Sequence, residues 1–193
     1  MIAADVLLAE LSVYVPADVR EADSLERTRH LLLAAKDPFT RENVDHVTGS
    51  AIVARPDGSA FLLVHHRRLD RWLQPGGHVE PGDRSVFETA RREAREETGV
   101  AARETRFGRR ALDVDTHPIP PRKDRPAHVH HDIRYLLTAS GDPVTPQKAE
   151  VRGAAWFTLE EALSAGVDDS LARALVKARR FFRGETVAVS DLT

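Results

Sequence analysis

Apolar residues recur at helical spacing through residues 1–43. Leu7, Leu8, Leu11 and Tyr14 form one set; beyond a break at Pro16, Leu25, His30, Leu31, Leu32 and Ala35 form a second, which Asp37-Pro38 ends. The pattern then changes to strands. Residues 47–54 and 61–64 flank the turn Arg55-Pro56-Asp57-Gly58, which predicts a β-hairpin. Further strands are expected over 111–117, 127–138 and 151–157, the last carrying Trp156 and Phe157. Helices are expected over 159–165 and 170–183. In the last helix Leu171, Leu175, Val176, Ala178 and Phe182 make the apolar stripe, with Arg173, Lys177, Arg179 and Arg180 as its polar side.

This order predicts an α/β fold, a mixed β-sheet covered by helices on both faces, over residues 44–193. Residues 1–43 form a helical N-terminal extension. Its apolar mass is too small for a core of its own, so it packs either on the rest of the chain or on a second subunit, as in a homodimer.

Composition narrows the function. The 193 residues, 41% hydrophobic and 30% charged, suffice for one well-buried domain with an appendage. A formal net charge of −2 gives no basic footprint, so nucleic acid is not an expected partner. The absence of cysteine excludes disulfides, thiolate catalysis and zinc–sulfur sites. Residues 1–15 carry Asp5 and Glu10 and lack the basic start and apolar run of a secretory signal, and no stretch approaches the roughly 20 apolar residues of a membrane span. A cytoplasmic location is the plain expectation.

The most informative stretch runs from Gly76 to Val100. It reads as a glycine loop feeding a short helix, with Ser85 and Glu88 at capping-box spacing and Gly99 as the stop. Val86, Phe87, Ala90 and Ala94 set an apolar stripe. Glu93, Glu96 and Glu97 share another face, where like charges three and four residues apart repel and the last two meet the negative end of the helix dipole. A solvated face with Glu88–Arg92 and Arg92–Glu96 pairs is one reading. A hard divalent cation is the other, because Mg²⁺ takes oxygen ligands and offsets clustered carboxylates.

Residues 77–100 resemble a Nudix box, the signature of the Nudix hydrolase family. Arg92-Glu93-Ala94-Arg95-Glu96-Glu97-Thr98-Gly99-Val100 matches its second half at every fixed position. The first half departs from it: Asp83 stands where the family usually has Glu, and one extra residue precedes Arg92. The shorter arm of Asp83 suits capping or orienting.

The resemblance implies an α/β/α sandwich and Mg²⁺-dependent hydrolysis of a phosphoric anhydride bond, with Mn²⁺ as a substitute. The substrate it implies is a small molecule, a nucleoside diphosphate linked to another moiety. Glu93, Glu96 and Glu97 are then metal ligands, with a backbone carbonyl at Gly76 by similarity, and Arg92 orients them. Glu93 is the first choice of general base in the box, with Glu150 and Asp132 as carboxylates elsewhere. The alternative is a Nudix-fold module that binds a nucleotide as a regulatory ligand without cleaving it.

Period two also sorts residues 127–138. His128, His130, Asp132 and Arg134 point one way, and Asp113, Asp115 and His117 share a face of the preceding strand. Paired as a hairpin, the two strands place both sets on one side of the sheet. A substrate pocket formed by His78, His128, His130, Asp132 and Arg134 is the reading taken. A transition-metal site chelated through His-x-His and a solvent-facing polar strand compete with it, as does a non-heme metal protein built on His128, His130 and Asp132.

Overall fold

The computed structural model describes residues 2–121, 125–142 and 151–185. Helices α1 (Ala4–Ser12) and α2 (Val19–Ala34) come first. They are followed by β1 (Asp45–Ala54), β2 (Phe61–His66), β3 (Arg71–Leu73), β4 (Gly76–His78), α3 (Val86–Thr98) and β5 (Arg103–Glu104). Then come β6 (Ala111–Ile119), β7 (His128–Thr138), β8 (Val151–Phe157), α4 (Leu159–Ser164) and α5 (Asp169–Phe182). No helix among the described residues is long and apolar enough to cross a membrane.

Strand β1 is the spine. All its residues after Asp45 are buried, as in a strand covered on both faces. One edge runs parallel to β7 from Asp45 opposite Val129 to Ala54 opposite Thr138. The other edge is divided, with β4 antiparallel at residues 48–50 and β2 antiparallel at Val53 and Ala54. Strands β3 and β8 flank β2, and β5 and β6 flank β7.

Alternate residues of β1 face two cores. Val47, Ala51 and Val53 pack with Leu7, Leu11, Leu25 and Leu32 of the first two helices and with Val86, Phe87, Ala90 and Ala94 of α3. Ile52 and Ala54 pack with Leu159, Ala162, Leu171 and Leu175 of α4 and α5. The result is the expected α/β/α sandwich with a mixed sheet. Gly49 permits the close approach of α3, since a Cβ there would lie 2.7 Å from the Val86 carbonyl oxygen.

Three local expectations change. Residues 76–78 are a short strand rather than loop, because their backbone pairs with β1. Ser85 Oγ accepts from Glu88 N at 3.2 Å, but the Glu88 carboxylate takes the Arg84 N–H instead of closing the box. In α5, Arg173 and Lys177 are buried rather than solvated.

The outer edge of β6 explains that last change. A strand edge without a neighbour leaves N–H and C=O groups to be satisfied. Here side chains do it. Glu10 accepts the Ala111 N–H, Glu21 the Val114 N–H at 3.1 Å and Ser24 the Thr116 N–H at 3.1 Å. Tyr14 and Lys177 donate to the Leu112 carbonyl, and Arg173 to that of Val114. The N-terminal extension is thus built into the sheet's edge.

Asp113 anchors this edge. Its carboxylate, 0% exposed, accepts from Arg134, Arg173 and Lys177 at 2.8–3.1 Å. Burial opposes its ionisation, but the three cations outweigh it and hold its pKa down to about 2. Asp113→Asn leaves those cations undercompensated in the interior. It is expected to cost about 3–5 kcal/mol of folding stability, read from urea unfolding midpoints; a loss below about 1 kcal/mol contradicts this role.

Candidate functional site

The carboxylate face lies on α3, which Gly99 ends in the left-handed conformation at φ 70°. Glu93 and Glu97 are buried, while the Glu96 side chain is 31% exposed. Each carboxylate is tied to its surroundings. Glu97 Oε2 accepts the Gly76 N–H at 3.2 Å, bringing it to the residue expected to share its ligand role. Glu93 packs on Gly77, where a Cβ would lie 2.7 Å from its carboxyl carbon.

Arg92 organises the set. Its Nη1 donates to Glu93 at 2.9 Å and to Glu96 at 3.2 Å, and Nη2 donates to the His78 carbonyl at 2.8 Å. Asp83 receives the other side of the fork, from Nε at 3.1 Å and Nη2 at 3.0 Å, and also accepts from Thr89 and the Glu80 N–H. Burial works against the Asp83 carboxylate, but the bonds from Arg92, Glu80 and Thr89 keep its pKa below the usual range. Asp83 therefore orients Arg92. Surrounding charge holds Arg92 protonated.

The donor set suits Mg²⁺. It consists of three carboxylates beside a backbone stretch, all hard oxygen. Arg92 is the shared internal counter-charge of Glu93 and Glu96.

On the far side of β4 lies a wall of histidines. Position 77 faces Glu93, while His78 stacks on His46 at 5.2 Å and meets His130 edge-on at 5.1 Å. His128 and His117 border the group, 5.1 and 5.6 Å from His130. Burial drives the pKa of His46 to about 4, of His78 to about 3 and of His130 to about 2. These rings are neutral at pH 7. His131 points the other way, toward Thr28 of α2, and burial lowers its pKa to about 4.

Below the histidines the face becomes an ion network. Asp132 accepts from Thr48, Ser50, Gln74 and Arg134, and Arg134 also bonds Asp113, Asp115 and Ser170. Both are 2% exposed, so this end of β7 is not a solvent-facing strand.

The NUDIX domain model matches residues 45–178, most of the chain. The chain belongs to the Nudix family. It is 31% identical over 98 residues to the m7GpppN-mRNA hydrolase NUDT17 of Xenopus laevis, a match covering 47% of this chain and 32% of that protein. The chain thus spans about a third of that relative's length. Two solved structures share the fold. An Ap4A hydrolase from C. elegans is 19% identical, with TM-score 0.52 over 72% of this chain and 98% of its own. The NUDIX domain of Shewanella oneidensis NrtR, complexed with ADP ribose, is 23% identical, with TM-score 0.51 over 77% and 95%.

In this Nudix chain the fold gathers the sequence-read residues into two groups. Gly76, Arg92, Glu93, Glu96 and Glu97 form the first, and His78, His128, His130, Asp132 and Arg134 lie along one face of the sheet. The parity expected for the β6–β7 hairpin holds, with Asp113 opposite Arg134, Asp115 opposite Asp132 and His117 opposite His130. Glu150 lies outside the described residues. Asp132, buried under four donors, is not free to act as a base. Sequence reasoning missed His46, Thr48 and Ser50, which bring β1 into the same face. Their period-two spacing was the available signal.

The neutral histidines set a pH dependence. Unfolded, each titrates near 6.5; folded, at about 4 or below, so the unfolded chain binds more protons between these values and stability falls as pH drops through that window. Urea midpoints in the presence of chelator are expected to decline steadily from pH 7 to pH 4.5. A flat profile contradicts the buried, neutral assignment.

Proposed function

We propose that this chain is a divalent-metal-dependent hydrolase that cleaves the pyrophosphate bond of a nucleoside diphosphate joined to another group. The observation that carries it is the gathering of Glu93, Glu96 and Glu97 at one end of α3, the first two bonded to Arg92 and the third to the Gly76 N–H. Such crowding works against an isolated helix, and it places hard oxygen donors on one rigid face.

Glu93 and Glu97, both buried, are the ligands that would hold Mg²⁺, with Glu96 and the backbone at Gly76 beside them. When bound, the ion supplies Lewis-acid stabilisation of charge developing on phosphoryl oxygens. The chain's own groups position the reaction. Arg92, locked by Asp83, fixes the carboxylates; Gly77 leaves room for Glu93 against β4. Glu96, the most exposed of the three, is the carboxylate able to accept a proton from the attacking water, a role the sequence alone assigned first to Glu93. His78, His128 and His130 line the side where substrate is expected, and Asp132 and Arg134 form its buried floor. The substrate class is supported by the two structural relatives, one an Ap4A hydrolase and the other complexed with ADP ribose.

The purified protein is expected to hydrolyse members of a panel of nucleoside diphosphate derivatives with Mg²⁺ or Mn²⁺ and to be silent with chelator. Glu97→Gln, which keeps shape and removes charge, should lower kcat by roughly 10²-fold or more. Near-normal Mg²⁺-dependent turnover in Glu97→Gln overturns the metal assignment. Silence of the wild type across the panel, with nucleotide binding still detected by thermal shift, favours the regulatory module.

A further inference from the structure

We propose that His46, His78 and His130 form a second metal site, taking one transition-metal ion of the Zn²⁺ class, distinct from the carboxylate site on α3. One ring nitrogen from each of the three lies within 4.8 Å of the others. Among the described residues, Nε2 of all three is buried without a hydrogen-bond partner. Buried polar atoms are ordinarily satisfied, so three orphaned nitrogens on rings packed against one another mark a missing partner.

That partner is a cation with nitrogen preference. The set is all imidazole, the ligand type that suits Zn²⁺ and its neighbours, whereas Mg²⁺ takes oxygen. His46 shows the outer bond that metal-binding histidines usually have. Its Nδ1 lies 3.1 Å from the Asn43 carbonyl, which fixes the proton on Nδ1 and leaves the lone pair on Nε2. A tetrahedral ion with nitrogen at about 2.0–2.1 Å needs ligands closer together than 4.8 Å, an adjustment small enough for ring rotation. Three protein ligands leave a fourth position open to water or another oxygen donor.

The backbone keeps the two sites apart. His78 belongs to β4, His46 to β1 and His130 to β7, three strands hydrogen-bonded side by side, with His46 directly opposite His130. A Cβ at Gly77 would meet Glu93, whereas the His78 ring joins the other histidines. They are also linked, because Arg92 holds the His78 carbonyl. The site does not depend on the hydrolase reading.

The test uses the full chain, stripped of metal and freed of chelator, titrated with Zn²⁺ against a chromophoric competitor and separately with Co²⁺. One equivalent of Zn²⁺ is expected. His46→Gln and His130→Gln should each weaken it at least about tenfold, and Glu97→Gln should leave it intact. Binding that persists in both histidine variants, is abolished by Glu97→Gln, or is absent from the wild type overturns the proposal. The Co²⁺ spectrum keeps the test open if the variants misfold. Strong visible absorption from a four-coordinate ion is expected in the wild type, and only the weak spectrum of six-coordinate, oxygen-bound Co²⁺ contradicts it.

Discussion

The guanidinium of Arg92 is the contact on which the box depends. Four carboxylates, Asp83, Glu93, Glu96 and Glu97, crowd into one end of α3 and its leading loop. Arg92 meets three of them and the His78 carbonyl with its planar fork. A lysine offers one point charge and cannot span these partners at once. Carboxylates crowded into the last turns of a helix repel one another and meet the negative end of its dipole, an excess of negative charge at that end. A bound divalent ion is the simplest complement to that excess, which ties the local folding problem to the proposed chemistry.

A second electrostatic constraint holds the opposite end of the same sheet. Among the described residues, edge strand β6 has no further strand beside it, and α1, α2, the link between them and α5 cover it with Glu10, Tyr14, Glu21, Ser24, Arg173 and Lys177. Asp113 is the meeting point. Through Arg134 the network continues to Asp132, and through Thr48 and Ser50 it reaches β1. The floor beneath the histidine wall is therefore supported by the N-terminal helices, although they lie outside the residues matched by the family model.

Much of this was legible in the sequence because it follows local rules. The hairpin turn at residues 55–58, the stripe of α3, the stop at Gly99 and the parity of β6 and β7 need only neighbouring residues. What was not legible depends on distant ones. Arg173 and Lys177 sit where an amphipathic helix normally meets water, and only the unpaired edge of β6 and the buried Asp113 draw them inside. Residues 76–78 resemble a loop because glycine has low strand preference, yet β1 offers them a free edge, and Ser50 and Glu93 occupy the space that side chains would fill. The His46 role was hidden because its partners lie on two other strands. Asp83, doubtful as a ligand from sequence, has its place explained by the bonds it makes to Arg92.

The claim that the α3 carboxylates exist to hold a divalent ion is tested most directly by binding rather than turnover. Electron paramagnetic resonance of free Mn²⁺ during titration counts the ions taken up by the wild type and by Glu97→Gln. Loss of at least one Mn²⁺ equivalent in the variant, with its fold unchanged by circular dichroism, is the predicted result. The same stoichiometry and affinity in both proteins contradicts the account.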